Sequence, residues 1–264
     1  MKYFFDYSSE LSSHLEFDPK AFIGDQQVPQ EVCNFILALA LAHNDYKFLN
    51  VLYNMHLKSK PDGKIERNTV WGEHGGIKNY LIFHHIAFVY ELFKLIQENK
   101  KVLEDPFLKK VVQNLHKGAR KSWDNLIDAA LSEEKSIKRS NPFFMIRNKM
   151  VYHYDTKELM AGYKLGFFKD DKVIEDACIS LGSNLRKVRF YFADKAIEGY
   201  LNKAVQGYSG KGLTKDLEDF FVSLMDAMRD TNLALYNICV EFIIKRGITW
   251  KNPKKEGKGS ILSI

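Results

Sequence analysis

The chain has 264 residues, 45% hydrophobic and 27% charged, with a formal net charge of +6. That balance belongs to a globular protein with a full core, and 6 prolines without any Pro-, Ser- or Gln-rich block exclude an extended disordered chain. The charge is uneven: Lys251, Lys254, Lys255 and Lys258 against Glu256 place half of it in residues 251–264. That stretch reads as a basic flexible tail, suited to solubility or to touching RNA, DNA or an acidic partner.

The opening MKYFFDYSSE has acidic residues and no long apolar core, so it does not read as a signal peptide. ILALALA at 36–42 is too short to span a bilayer. Cys33, Cys178 and Cys239 form no CxxC pair and sit beside apolar residues, as small buried hydrophobes do. These features together give the expectation of a cytoplasmic protein.

Residues 1–28, with turn chemistry at Asp18-Pro19 and Gly24-Asp25, read as a lead-in that packs on the body. From Pro29 onward Val32, Phe35, Leu39, Ala42, Tyr46, Leu49 and Tyr53 recur at steps of three and four. This spacing predicts one helix of about thirty residues, near 45 Å long, ended by Pro61-Asp62-Gly63. Residues 61–76 read as a loop closing on Trp71-Gly72-Glu73-His74-Gly75-Gly76, a tight glycine turn without the pattern of a phosphate loop. A second long helix follows from Ile77 to about Asn99, with Leu81, His84, Phe88, Leu92 and Leu95 inward.

Shorter helices are predicted over Phe107–His116 and Ser122–Lys138, with Gly118 as a cap between them. Beyond the central stretch, helices are expected over Thr156–Leu165, Asn184 to about Gln206, and Leu213–Arg246, with a turn at Gly166–Asp171 and a glycine-rich break at Gly207–Gly212. No alternating strand pattern of any length appears. The fold class is all-α, an antiparallel bundle of long helices with additional short ones, forming a single domain over 1–250.

The chemistry-bearing patterns are sparse. Neighbouring residues such as His84 and His85 point about 100° apart on a helix and cannot readily share one ion. There is no HExxH, no GxSxG elbow, and no local partner to activate a cysteine. The stretch that does stand out is Asn141–Glu158, NPFFMIRNKMVYHYDTKE. Asn141 is a good N-cap and Pro142 suits the first helical position. Asp155-Thr156-Lys157-Glu158 is a capping-box pattern that starts a new helix. Between these signals lie Arg147, Asn148 and His153. The last is six positions past the arginine and about 120° round an ideal helix from it. Such a pair converges only if the helix ends at His153 or if two copies meet across a two-fold axis.

Arg147-Asn148-Lys149-Met150-Val151-Tyr152-His153 resembles the R-x(4–6)-H motif of the HEPN superfamily, which lies on a late helix of an all-α bundle and often has a polar residue after the arginine. The resemblance covers this motif and the helical context, not the whole chain. It implies a homodimer in which two motifs face each other. It also implies one of two activities: a ribonuclease without metal or other cofactor, of the toxin–antitoxin or phage-defence kind, or a non-catalytic module binding RNA, nucleotide or a protein partner such as an antitoxin. Under the first reading His153 supplies a proton-transfer group of near-neutral pKa and Arg147 a bidentate cation for the phosphorane-like charge, while Asn148 orients either. Lys149 attracts the RNA backbone, and Tyr152 or Tyr154 stacks on a base or packs in the core. A third reading, a small-molecule binder, requires a sizeable pocket within the bundle.

Overall fold

Long amphipathic helices bury a stripe only against partners of similar length, and four such helices set the architecture. The computed structural model describes residues 17–61, 69–135, 142–150, 155–180 and 188–247. α1 (Gln30–Lys58) lies between α2 (Thr69–Glu98) and α9 (Leu213–Lys245), and α5 (Lys117–Lys135) closes the square by packing on both α2 and α9. Short helices α3 (Lys100–Leu103) and α4 (Pro106–Asn114) connect α2 to α5, with Asp105 capping Phe107 and Leu108 at the start of α4. The all-α class is as the periodicity indicates.

The expected α1 stripe supplies Val32, Phe35, Leu39 and Tyr46 to the core, and that of α9 supplies Phe220, Leu224, Met228, Leu235, Ile238 and Phe242. Contacts Tyr46–Phe88 and Tyr53–His85 run α1 antiparallel to α2, and His43–Tyr236 with the Cys239-to-Ile36 contact run it antiparallel to α9. Within the described lead-in, Ala21 and Val28 are buried. Arg246 clamps this segment to the end of α9 through Asp25 (2.8 Å) and the carbonyls of Ala21 and Ile23.

Four expectations are corrected. Trp71–Gly76 is not a turn but the first turns of α2. Its glycines serve close approach: a Cβ on Gly72 would fall on the ring of Tyr191, and one on Gly76 on the guanidinium of Arg189. Gly118 is not a cap; it lies in the first turn of α5, whose start precedes Ser122. Gly166 continues α7 (Thr156–Phe167), and the expected turn is a two-residue antiparallel hairpin, β1 (Phe168–Lys169) and β2 (Lys172–Val173). Asp170 and Asp171, both at positive φ, form its tight turn. α8 (Tyr191–Val205) begins later than expected, because Arg189 is extended and pairs with Ser180 in an isolated bridge. Its guanidinium binds Asp194 (2.7 Å) and Glu73 (3.1 Å).

α7 and α8 pack mainly on each other, and glycine sets their separation. A Cβ on Gly162 would strike the Ala196 carbonyl, and one on Gly199 the carbonyl of Gly162. From this pair Tyr200, fully buried, donates its hydroxyl to the Met145 carbonyl at 3.3 Å and so ties α8 to α6 (Pro142–Lys149). The break before α9 is built by Asp216, which accepts from Gly207 N (2.7 Å), Ser209 N and Ser209 Oγ (both 2.8 Å), while Gly207, Gly210 and Gly212 take positive φ.

Candidate functional site

α6 is a short helix held on three sides. Phe143 and Ile146 enter the core, Phe143 against Phe220 at 5.0 Å, and Tyr200 holds the backbone at Met145. That seating turns Arg147 toward α2. Its Nη2 meets Glu91 Oε1 at 2.6 Å, Nη1 donates to Asn148 Oδ1 at 2.8 Å, and the guanidinium lies 5.6 Å from the Tyr90 ring centroid. Asn148 in turn donates from Nδ2 to the Phe144 carbonyl at 3.0 Å, which fixes its amide so that the oxygen faces the arginine. Tyr90 is itself seated edge-on against Phe144 at 5.8 Å. Two of the five guanidinium N–H donors are thereby used, with the arginine side chain still 30% exposed.

Lys149 does not join this group. Its ammonium binds Asp155 Oδ2 at 2.7 Å, and the Asp155 N–H donates to the Lys149 carbonyl at 2.9 Å. Asp155 is also the N-cap of α7, accepting from Lys157 N and Glu158 N as the capping-box pattern indicates. The ammonium beside it holds the Asp155 carboxyl below its usual range. The Lys149–Asp155 clamp brackets the segment that carries Tyr152, His153 and Tyr154. Those three residues and Asn141 lie outside the described residues, as do residues 251–264.

The arginine opens onto a groove of about 510 Å³ between α1 and α2, lined by Asp45, Phe48, Leu49, His84, Ala87, Phe88, Glu91 and Arg147. His84 was expected in the core, but it is half-buried on the groove wall with its ring 4.1 Å from that of Tyr80. Burial lowers its pKa, so the ring is neutral near pH 7. The core histidine is its neighbour His85, which is buried against Tyr53. There Nδ1 lies 2.8 Å from the Leu81 carbonyl and Nε2 has no partner among the described residues. A helix face read as one apolar stripe hid this distinction. His84, Ala87 and Glu91 share one side of α2 at i, i+3 and i+7, and that spacing is the signal by which Glu91 and His84 are found.

A larger cleft of about 840 Å³ lies near α5, α6 and α9, with Asn125, Phe143, Tyr208, Asp226, Arg229 and Asp230 among its walls. Asp230 is buried there and accepts from Ser122 Oγ (2.9 Å) and Asn125 Nδ2 (3.0 Å). Among the described residues no cluster of three His, Cys, Asp or Glu side chains is placed to hold a metal ion, and no helix is long and apolar enough to cross a membrane. No family model, curated protein or solved structure matches the chain.

Proposed function

We propose that the protein is a HEPN-like, metal-independent endoribonuclease of the toxin or phage-defence kind, acting as a homodimer. Arg147 binds the scissile phosphate, Asn148 orients the guanidinium and phosphate, and His153 transfers the proton. The observation that supports this reading is the geometry of Arg147: a guanidinium oriented by Glu91, Asn148 and the Tyr90 face, with three N–H donors that have no partner among the described residues, at the mouth of a groove. A planar cation fixed in advance of substrate is what charge stabilisation of a phosphorane requires, since little reorganisation remains to be done in the transition state. Cleavage then proceeds by attack of the ribose 2′-OH on the adjacent phosphorus. The 5′-oxygen leaves with a proton, and a 2′,3′-cyclic phosphate remains.

A second reading is favoured by one feature of the same groove. Asp45 and Glu91 outnumber Arg147, and His84 is neutral, so the lining carries a formal charge of −1. Such a lining suits a non-catalytic module that binds a nucleoside or a peptide better than one that attracts a polyanion. The two readings separate in one assay. Purified protein is incubated with mixed RNA in the presence of a chelator, beside Arg147→Ala, His153→Ala and His84→Ala. Cleavage that survives chelation and is lost in the first two variants supports the nuclease. Cleavage unchanged in either, or dependent on added metal, overturns it.

A further inference from the structure

The outer face of α9 carries an apolar stripe that the core does not use. Val222, Met225, Arg229, Leu233, Tyr236, Val240 and Ile244 follow one another at steps of 3, 4, 4, 3, 4 and 4. An eleven-residue repeat of this kind keeps a stripe on one side of a nearly straight helix, because its 3.67 residues per turn almost match the α-helix. Val222 is 59% exposed, Met225 55%, Tyr236 56% and Ile244 47%, with Leu233 at 37% and Val240 half-buried. The stripe spans roughly 33 Å. On the adjoining α1, Leu37, Leu41 and Phe48 continue the apolar surface, all more than half exposed, and His43 meets Tyr236 at 6.0 Å where the two helices join. Phe48 also lines the Arg147 groove.

We infer that this face is the docking surface for a second copy of the chain. Its sequence is self-complementary. A two-fold axis through Leu233 that pairs α9 with itself antiparallel sets Val222 against Ile244, Met225 against Val240, and Arg229 against Tyr236. Apart from Tyr236, every apolar position then meets an apolar one. The single charged position, already neutralised on its own helix by Asp226 at 2.9 Å, meets an aromatic face, which is a cation–π arrangement. The eight exposed apolar side chains of α1 and α9 together offer on the order of 800 Å² per copy, the area of a standard stable interface. A patch of that size exceeds what monomers ordinarily leave to solvent. The inference gives a location to the homodimer of the proposed function and rests on that reading only for the identity of the partner.

The test uses the whole 264-residue chain. Light scattering across a wide concentration range should give twice the mass of one chain. Leu233→Glu should weaken dimerisation by about two orders of magnitude, because two carboxylates are then buried at the axis. Its helix content should be unchanged, since residue 233 lies on the outer face. Leu233→Cys should cross-link readily under mild oxidation, whereas Val222→Cys, placed off the axis, should not. A chain monomeric at every concentration overturns the proposal. So does a dimer that survives Leu233→Glu, or equal cross-linking at 222 and 233. An apolar face exposed to a hydrophobic dye only after removal of residues 1–16 or 251–264 also overturns it, because a segment of the same chain then covers the surface. A dimer through this face that leaves RNA intact defeats the nuclease reading alone. RNA cleavage by a chain whose dimer ignores Leu233→Glu defeats this one alone.

Discussion

Two polar clusters at helix interfaces use similar chemistry to different ends. At the α5–α9 seam, Asp230 is buried and its carboxylate is held by Ser122 and Asn125. At the α2–α6 seam, Arg147 is held by Glu91, Asn148 and Tyr90 but stays partly exposed, with three donors unpartnered among the described residues. The first is closed: each of these bonds satisfies a group that burial would otherwise strand. The second is open, and its bonds orient a cation without consuming it. Burial, not residue type, separates a structural ion from one available to a ligand.

The largest expected effect sharpens that contrast. Arg147→Ala should lower the proposed RNA cleavage by at least ~100-fold, the order expected when a fixed transition-state donor is removed. Its cost in folding stability should stay under about 1 kcal/mol, as for other partly exposed ion pairs. Arg147→Lys should rescue little, because an ammonium cannot reproduce the planar fork. Asp230→Ala should do the reverse, destabilising by about 2–3 kcal/mol in urea melts while leaving any RNA cleavage by the folded fraction intact. If Arg147→Ala unfolds the protein as readily as Asp230→Ala, the contrast fails and Arg147 is a structural residue.

A third, smaller effect comes from acid. The Ser209 hydroxyl and the backbone N–H groups of the 207–211 turn hold the Asp216 carboxyl down to about 2. Its folded pKa lies below the unfolded value of 3.8, so its contribution is fully present above that value and is lost as pH falls toward 2. Acid titration of Asp216→Asn should show that loss already at neutral pH and a shallower slope below pH 4.

The smallest effect concerns His85, whose pKa burial depresses below 6.5. The unfolded chain takes up this proton more readily than the folded one, so stability should fall as pH drops below about 6.5. His85→Leu should remove that slope and change stability at pH 8 by less than about 1 kcal/mol, since the Nδ1 contact to the Leu81 carbonyl is lost together with an Nε2 that has no partner among the described residues.

The sequence by itself determined the helices and the class of the fold, because both follow from local information. Steps of three and four placed the buried stripes of α1 and α9, and the Asp155 capping pattern placed the start of α7. Glycine is ambiguous in one dimension where the reason for it is not local. Gly72, Gly76 and Gly118 look like turn residues in one dimension, yet they lie within helices, two of them leaving room for Tyr191 and Arg189 from more than a hundred positions away. The two faces of α2 are likewise hard to separate by spacing alone, which points to His84 as the core histidine where packing selects His85.

Of the central stretch, the sequence singled out Arg147 and Asn148 by their place on a capped helix, but it could not supply Glu91 or Tyr90. A guanidinium acquires its partners through packing, from a helix more than fifty residues earlier, and no spacing within 141–158 encodes that contact. Only the tertiary structure decided which of the stretch's cations is clamped and which is oriented. Lys149 is bound to Asp155, while Arg147 is aimed into the groove between α1 and α2 by the seating of Phe143, Ile146 and Met145 against the bundle.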